Sequence, residues 1–210
     1  MSGLHWADER ERANTIAFIK DQGVCGSCWA TAASEVIADR SCIACGLCSG
    51  ASVPGPPGES APCIDFSIQD ILSCCHSCGY GCAGANHRFV KGEAAMMNEI
   101  YNHGPIECAF DVYPNFWHYK SGVYDKTVGI SDGGHAVKVV GWGEEADGTK
   151  YWLINNSWNT TWGMDGRFKF LRTSDEDERG GADGLCGMQA ECVAADAVCD
   201  ASEPRSLTCL

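Results

Sequence analysis

Cys28 stands in the segment Asp21-Gln22-Gly23-Val24-Cys25-Gly26-Ser27-Cys28-Trp29-Ala30, at the point where a helix-forming run begins. A thiol in the first turn of a helix meets unpaired N–H groups and the positive end of the helix dipole, so its pKa is expected to fall and sulfur to act as a nucleophile. The plain alternative is a buried structural cysteine. The matching base is His135 in Gly133-Gly134-His135-Ala136-Val137, where two glycines leave room beside the ring and the next residues, a strand-like run, hold it rigidly. His5, His76, His87, His103 and His118 lack that combination. Asn156, in Ile154-Asn155-Asn156-Ser157-Trp158, comes after another strand-like run and can orient the imidazole, with Trp158 covering that hydrogen bond from water. The side-chain amide of Gln22 and the backbone N–H of Cys28 are the donors expected for an oxyanion, which completes an acyl-transfer site.

These side chains need a helix and a set of strands to position them. Trp29, Ala32, Ala33, Val36 and Ile37 recur at the spacing of a buried stripe and predict a central helix from Ser27 to about Arg40. From Ser41 to Cys63 the chain turns to Cys, Gly, Pro and Ser, including Pro54-Gly55-Pro56-Pro57-Gly58, and reads as a surface insert. Ser67-Ile68-Gln69-Asp70 resembles a capping box before a short helix, and Cys74, Cys75, Cys78 and Cys82 then form a stapled turn region. A helix from Glu93 to Asn102 should stop at His103-Gly104-Pro105. Ala136 to Val140, Tyr151 to Ile154 and Arg167 to Leu171 are short strand-like stretches spaced as in an antiparallel sheet or barrel. Helices early and strands late make an α+β protein of two unlike halves.

Composition narrows the partners. The 210 residues carry 15 basic and 28 acidic side chains, a net charge of -13, which argues against nucleic acid and against an anionic membrane surface. No apolar run is long enough to span a bilayer. Fifteen cysteines point to an oxidising compartment, and their odd number leaves at least one thiol unpaired. The first residues lack the layout of a signal peptide, so either a processed or trimmed form with an added methionine is expected or the cysteines have another use.

The Cys-Gly-Ser-Cys-Trp segment with His and Asn far downstream resembles the papain family of cysteine peptidases, whose signature this is. The resemblance is closest to the cathepsin B group: Cys74 to Gly84, Asn98 to Pro105, Tyr119 to Tyr124, Gly133 to Gly143 and Asn156 to Gly163 all match, and Asn159 stands where many relatives have glycine. It implies one papain-like domain over residues 1–210, with a helical lobe over 14–85 that carries the insert at 41–63. A β-rich, barrel-like lobe covers 86–210, and the cleft lies between the two. The resemblance assigns Gln22, Cys28, His135 and Asn156 the oxyanion, nucleophile, base and orienting roles. Gly84, Ala136, Trp158 and Glu191 become substrate contacts, with Glu191 accepting a basic side chain at the floor of the S2 pocket. The family pairings are Cys25 with Cys82 and Cys75 with Cys78. Cys42 and Cys74 stay open, to pair with each other or with Cys45, Cys48 or Cys63, and Cys42-x-x-Cys45-x-x-Cys48 with Cys63 also has the spacing of a zinc site. Disulfides suit the compartment better, and neither metal nor cofactor is expected.

The match breaks after Ala85. Gly84-Ala85-Asn86-His87 runs almost directly into the helix at Glu93, and His135 and Asn156 lie nearer to Cys28 than the roughly 130–150 residues the signature ordinarily spans. The missing stretch includes the occluding loop with its histidine pair, for which His87 is no substitute. Endopeptidase action in an open cleft is therefore expected rather than dipeptidyl carboxypeptidase action, and the loss could bare part of the central helix. A monomer in a lysosome, another acidic vacuole or the extracellular space is implied, acting on peptides and restrained by a propeptide outside these residues. The alternative is a pseudo-peptidase that only binds peptides or a partner.

Overall fold

The computed structural model describes residues 18–45, 66–74 and 90–194 except 126 and 175, together with three two-residue strands at 4–5, 53–54 and 60–61. Helix α1 is Cys28–Cys45. The Thr31 N–H donates to the Ser27 carbonyl at 2.9 Å, closing the first turn where the sequence pattern puts it. The helix runs past the expected end at Arg40 because Ser41 to Cys45 contains neither Gly nor Pro, and Gly46 is the first residue that favours a stop. Helix α2 is Ile68–Cys74, and α3 is Glu93–His103, ended by Gly104 with φ 104°. A side chain at Gly104 would meet the Ile43 Cδ1 atom at 2.6 Å, so the stop also lets α3 dock on α1.

The strands form a sheet in the order β5 (Val123–Tyr124), β8 (Arg167–Leu171), β7 (Lys150–Asn155), β6 (Gly133–Glu144), β4 (Ile106–Val112) and β9 (Glu191–Val193). Strand β1 (Leu4–His5) adds to β6 beside Trp142. Strands β2 (Val53–Pro54) and β3 (Ser60–Ala61) pair separately within the insert. The α+β architecture is as expected. In detail the sheet differs from an all-antiparallel barrel: β5 runs parallel to β8, and β5 and β9 end an open path among the described residues. Strands β6, β7 and β8 are found, with β6 longer at both ends and bent at an irregularity between Val139 and Gly141.

Antiparallel register sorts the sheet into two faces. Ile106, Cys108, Phe110 and Val112 of β4 join Val137 and Val139 of β6 in a core that also holds Phe116, Tyr124, Phe168 and Phe170. Phe116 lies edge-on to Phe168 at 4.9 Å and to Tyr124 at 5.0 Å, geometries worth about 0.5–1.5 kcal/mol per pair beyond burial. The other face presents Glu107 and Ala109 of β4 and Ala136 and Lys138 of β6. Lys138 Nζ donates to Asp39 Oδ2 of α1 at 2.9 Å, which puts the central helix over this face.

Helix α1 is buried nearly all round. Trp29, Ala32 and Val36 of the expected stripe are buried, Ala33 and Ile37 half-buried, so the stripe is not laid bare. Ser34, Glu35, Asp39 and Arg40 are buried as well, giving the helix a second, polar inward face. Arg40 donates to the carbonyls of Pro105 at 2.7 Å and Gly104 at 3.3 Å and pairs with Glu99 at 2.9 Å. It thereby places positive charge at the C-terminal end of α3, where the helix dipole favours it.

Candidate active site

Cys28 is the first residue of α1, half-buried and free. It packs against Trp29, Ala30 and Ala136, with Ile68, Ile71 and Leu72 of α2 closing the cluster. Ala136 is the residue after His135 in β6, so helix start and strand start meet at the thiol. Burial pushes the Cys28 thiol up, and the nearby Glu107 adds to this. Backbone hydrogen bonds at Ala136 and Trp29 act the other way. The expected fall in the thiol's pKa is thus not what this environment gives, because desolvation outweighs the helix terminus.

His135 is buried, and burial pushes its pKa down to about 4 against the hydrogen bond it donates to Asn156. Its Nε2 lies 2.7 Å from Asn156 Oδ1. The same Oδ1 accepts the Ser157 backbone N–H at 2.8 Å, so this end of the carboxamide is the oxygen and cannot be flipped. His135 therefore carries its proton on Nε2, which leaves Nδ1 as the basic nitrogen. Trp158 stacks on the imidazole at 4.7 Å, and Phe110 meets it edge-on at 5.8 Å. Trp117 stacks in turn on Trp158 at 4.4 Å and donates from its indole to Asp132. This outer ring carries no sequence signal, since nothing in the neighbourhood of Trp117 ties it to His135.

Asn156 itself is fixed by a turn. Its N–H donates to the Gly166 carbonyl at 2.8 Å, and Gly166 has φ 83° with Ile19 so close that an added Cβ would sit 2.6 Å from it. Gln22 is tied to the same loop. Its N–H donates to the Ser157 carbonyl at 3.0 Å, Ser157 Oγ donates to Gln22 Oε1, and Gln22 Nε2 donates to the Cys25 carbonyl at 3.0 Å. One N–H of that amide is left for a ligand oxygen. Ser157 is a second site residue that its sequence context does not single out.

Ala136 is buried beside Cys28, while Glu191 is exposed on β9. The two belong to one row across the sheet: Glu191 faces Ala109 of β4, and Ala109 faces Ala136. Gly84, Cys75, Cys78 and Cys82 lie outside the described residues. Cys25 and Cys42 are each disulfide-bonded, which removes Cys42 from the four-cysteine zinc set. Among the described residues no group of His, Cys, Asp or Glu is arranged to hold a metal ion. An unforeseen disulfide joins Cys108 of β4 to Cys192 of β9. Both cysteines sit within short strands far apart in the chain, so spacing gave no sign of it.

A thiol at a helix start, an imidazole with a fixed basic nitrogen and a free amide N–H are the parts of an acyl-transfer enzyme that works through a thioester. Comparison with known proteins shows the family. The family model described as "Papain family cysteine protease" matches residues 5–91 and 85–195, and the chain belongs to that family. It is 34% identical to a gut-specific cysteine proteinase of Caenorhabditis elegans, over 93% of this chain and 72% of that protein. It is 35% identical to cathepsin B-like cysteine proteinase 3 of the same organism, over 80% of this chain and 62% of the relative. The first of these alignments runs over 251 positions, so the relative has stretches that this 210-residue chain lacks. The family match itself divides near residues 85–91, where the sequence departs from the pattern. Among solved structures, procathepsin B S9 of Trypanosoma congolense superposes with a TM-score of 0.74 at 26% identity, covering 94% of this chain and 78% of that one. Bromelain from Ananas comosus, at 23% identity and a TM-score of 0.70, shares the fold over 94% of this chain. No helix among the described residues is long and apolar enough to cross a membrane.

Proposed function

We propose that this cysteine peptidase is a cathepsin B-like endopeptidase in which Cys28 is the nucleophile, His135 the base, Asn156 the orienting group and Gln22 an oxyanion donor. The reading rests on the Asn156 clamp, whose Oδ1 accepts from both His135 Nε2 and the Ser157 N–H and so fixes the tautomer with Nδ1 free. Burial disfavours a lone thiolate and a lone imidazolium, but passing the Cys28 proton to His135 makes a pair with no net charge, which burial penalises less. Sulfur then bonds to the peptide carbonyl carbon, the developing oxyanion takes N–H donors from Gln22 and the Cys28 backbone, and His135 returns the proton to the leaving amine. Water hydrolyses the thioester, with His135 accepting its proton. Glu191, at the outer end of the row that reaches Ala136, selects a basic side chain on the second residue before the scissile bond, and Gly84 and Trp158 complete the substrate contacts.

The raised Cys28 and lowered His135 pKa values also suit the alternative of a peptide-binding pseudo-peptidase, and one assay separates the two. Wild type should cleave a fluorogenic Arg-Arg substrate at mildly acid pH, with Cys28→Ala and His135→Ala each lowering kcat by about 10⁴-fold or more. Absence of turnover in the folded wild type, or turnover that survives Cys28→Ala, contradicts the peptidase mechanism. An acidic vacuole or the cell exterior fits this activity and the disulfides, and the proenzyme forms among the structural relatives fit restraint by a propeptide. The protein acts on peptides as a monomer in this reading, through a cleft between the helical part over 14–85 and the β-rich part over 86–210.

A further inference from the structure

Strand β9 is three residues long and stands at the end of the sheet path, an arrangement with little ladder to fix its position. Its upstream approach is anchored: Gln189 is buried, its N–H donates to the Asp183 carbonyl, and its side chain accepts from Trp152 and exchanges hydrogen bonds with Thr173. Glu191 lies two residues beyond that anchor and is exposed. The next residue, Cys192, is fully buried and bonded to Cys108 in the middle of β4. The Cys192 carbonyl also accepts the Val90 N–H at 2.8 Å, on the side away from β4.

The register gives that disulfide a place in the substrate row. Cys108 faces Cys192, Ala109 faces Glu191, and Ala109 faces Ala136 across the next pair. Cys192 and Glu191 point to opposite faces, as neighbours on a strand do, so the sulfur is sunk in the aromatic core while the carboxylate stands on the face that carries Ala136. With strands about 4.8 Å apart, Glu191 lies about 10 Å from Ala136 along that face. A one-residue slip of β9 would turn Glu191 into the core and Cys192 outward, and the bond between Cys108 and Cys192 forbids it.

We propose that the Cys108–Cys192 disulfide is a specificity-determining element: it holds the register of β9 and thereby places the Glu191 carboxylate where it selects basic side chains on the second residue before the scissile bond. This rests on the substrate role given above to Glu191. The disulfide touches neither substrate nor reacting atoms and acts by positioning.

The test is the ratio of kcat/KM for a Z-Arg-Arg coumarin amide to that for the Z-Phe-Arg analogue, in which only the selected position changes. Replacing the bond with an apolar pair, Cys108→Ala with Cys192→Val, should lower that ratio about tenfold, mainly through KM for the Arg-Arg substrate, while kcat for the Phe-Arg substrate stays near wild type. Glu191→Gln with the bond intact should lower it to a similar degree. Val193→Gly, which weakens the strand but leaves the disulfide, should leave the ratio unchanged. If Glu191→Gln lowers the ratio and the disulfide variant does not, the inference is overturned and the role of Glu191 stands. If Glu191→Gln has no effect, the substrate reading fails and takes the inference with it. Should the double variant not fold, Val193→Gly decides alone, since a fall in its ratio would show that the ladder rather than the disulfide holds Glu191.

Discussion

The two faces of the sheet are packed by opposite chemistry. Phe110, Phe116, Phe168, Phe170 and their neighbours fill one face with rings that carry no charge. The other face meets α1 through Glu35, Asp39, Glu107 and Lys138, all buried. Lys138 is held charged by Asp39 and Glu35 against its own burial, and burial raises the pKa of Asp39 against the pull of Lys138. Glu35 and Glu107 are pushed by burial up to about 7 and about 8. Glu107 faces Lys138 in register, yet Lys138 bonds to Asp39, and Glu107 Oε1 has no hydrogen-bond partner. The apolar face should hold the fold at any moderate pH. The polar face, on which Cys28 rests through Ala136, holds it best where two of its carboxyls keep their protons.

Substitutions on each face can break or sharpen that contrast. On the aromatic face, Phe168→Ala should cost about 3–5 kcal/mol, and the fall in thermal midpoint should be the same at pH 5 and pH 8. On the polar face, Lys138→Ala should cost a similar amount, about 3–5 kcal/mol, by leaving Asp39 buried and unpaired. Here the loss should grow from pH 5 to pH 8 as the abandoned carboxyls are forced to ionise. Equal pH dependence in the two variants would remove the distinction.

Glu107→Gln gives the smallest effect and the clearest sign. The folded-state pKa of Glu107 is raised above its unfolded value of 4.5 to about 8. The stability it contributes is therefore complete below pH 4.5 and is lost progressively as pH rises through 8. Replacing it with a neutral amide should leave stability near pH 4.5 unchanged and raise it by about 3 kcal/mol at pH 7, read from urea unfolding midpoints. A variant that is less stable at pH 7 would show that Glu107 is charged and paired instead.

The same contrast explains what could be read in the sequence. Cys28, His135 and Asn156 were legible because each stands at the boundary of an element, marked by Gly or Asn, and the end of α3 was legible from His103-Gly104-Pro105. Strand β4 carries a signal of the same kind, since Ile-Glu-Cys-Ala-Phe-Asp-Val alternates and Ile106, Cys108, Phe110 and Val112 fill one face of the sheet, although it is not among the stretches expected to be strands. The polar inward face of α1 was hidden: Glu35, Asp39 and Arg40 have the pattern of a solvent face, and only the position of Lys138, far away in the chain, shows that they face protein. The Cys108–Cys192 bond depends on strand register, which no local signal carries.

The most direct test is the rate at which a dipeptidyl alkylating reagent labels the folded protein as pH is varied, with the modified residue identified by peptide mass mapping. Cys28 should be labelled and the other free thiol among the described residues, Cys186, spared. The rate should fall as pH drops through about 4, where His135 takes up a proton and can no longer accept one from the thiol, and His135→Ala should abolish the dependence along with most of the rate. Folded protein that leaves Cys28 unlabelled, or labels it at a rate indifferent to His135→Ala, would contradict the account.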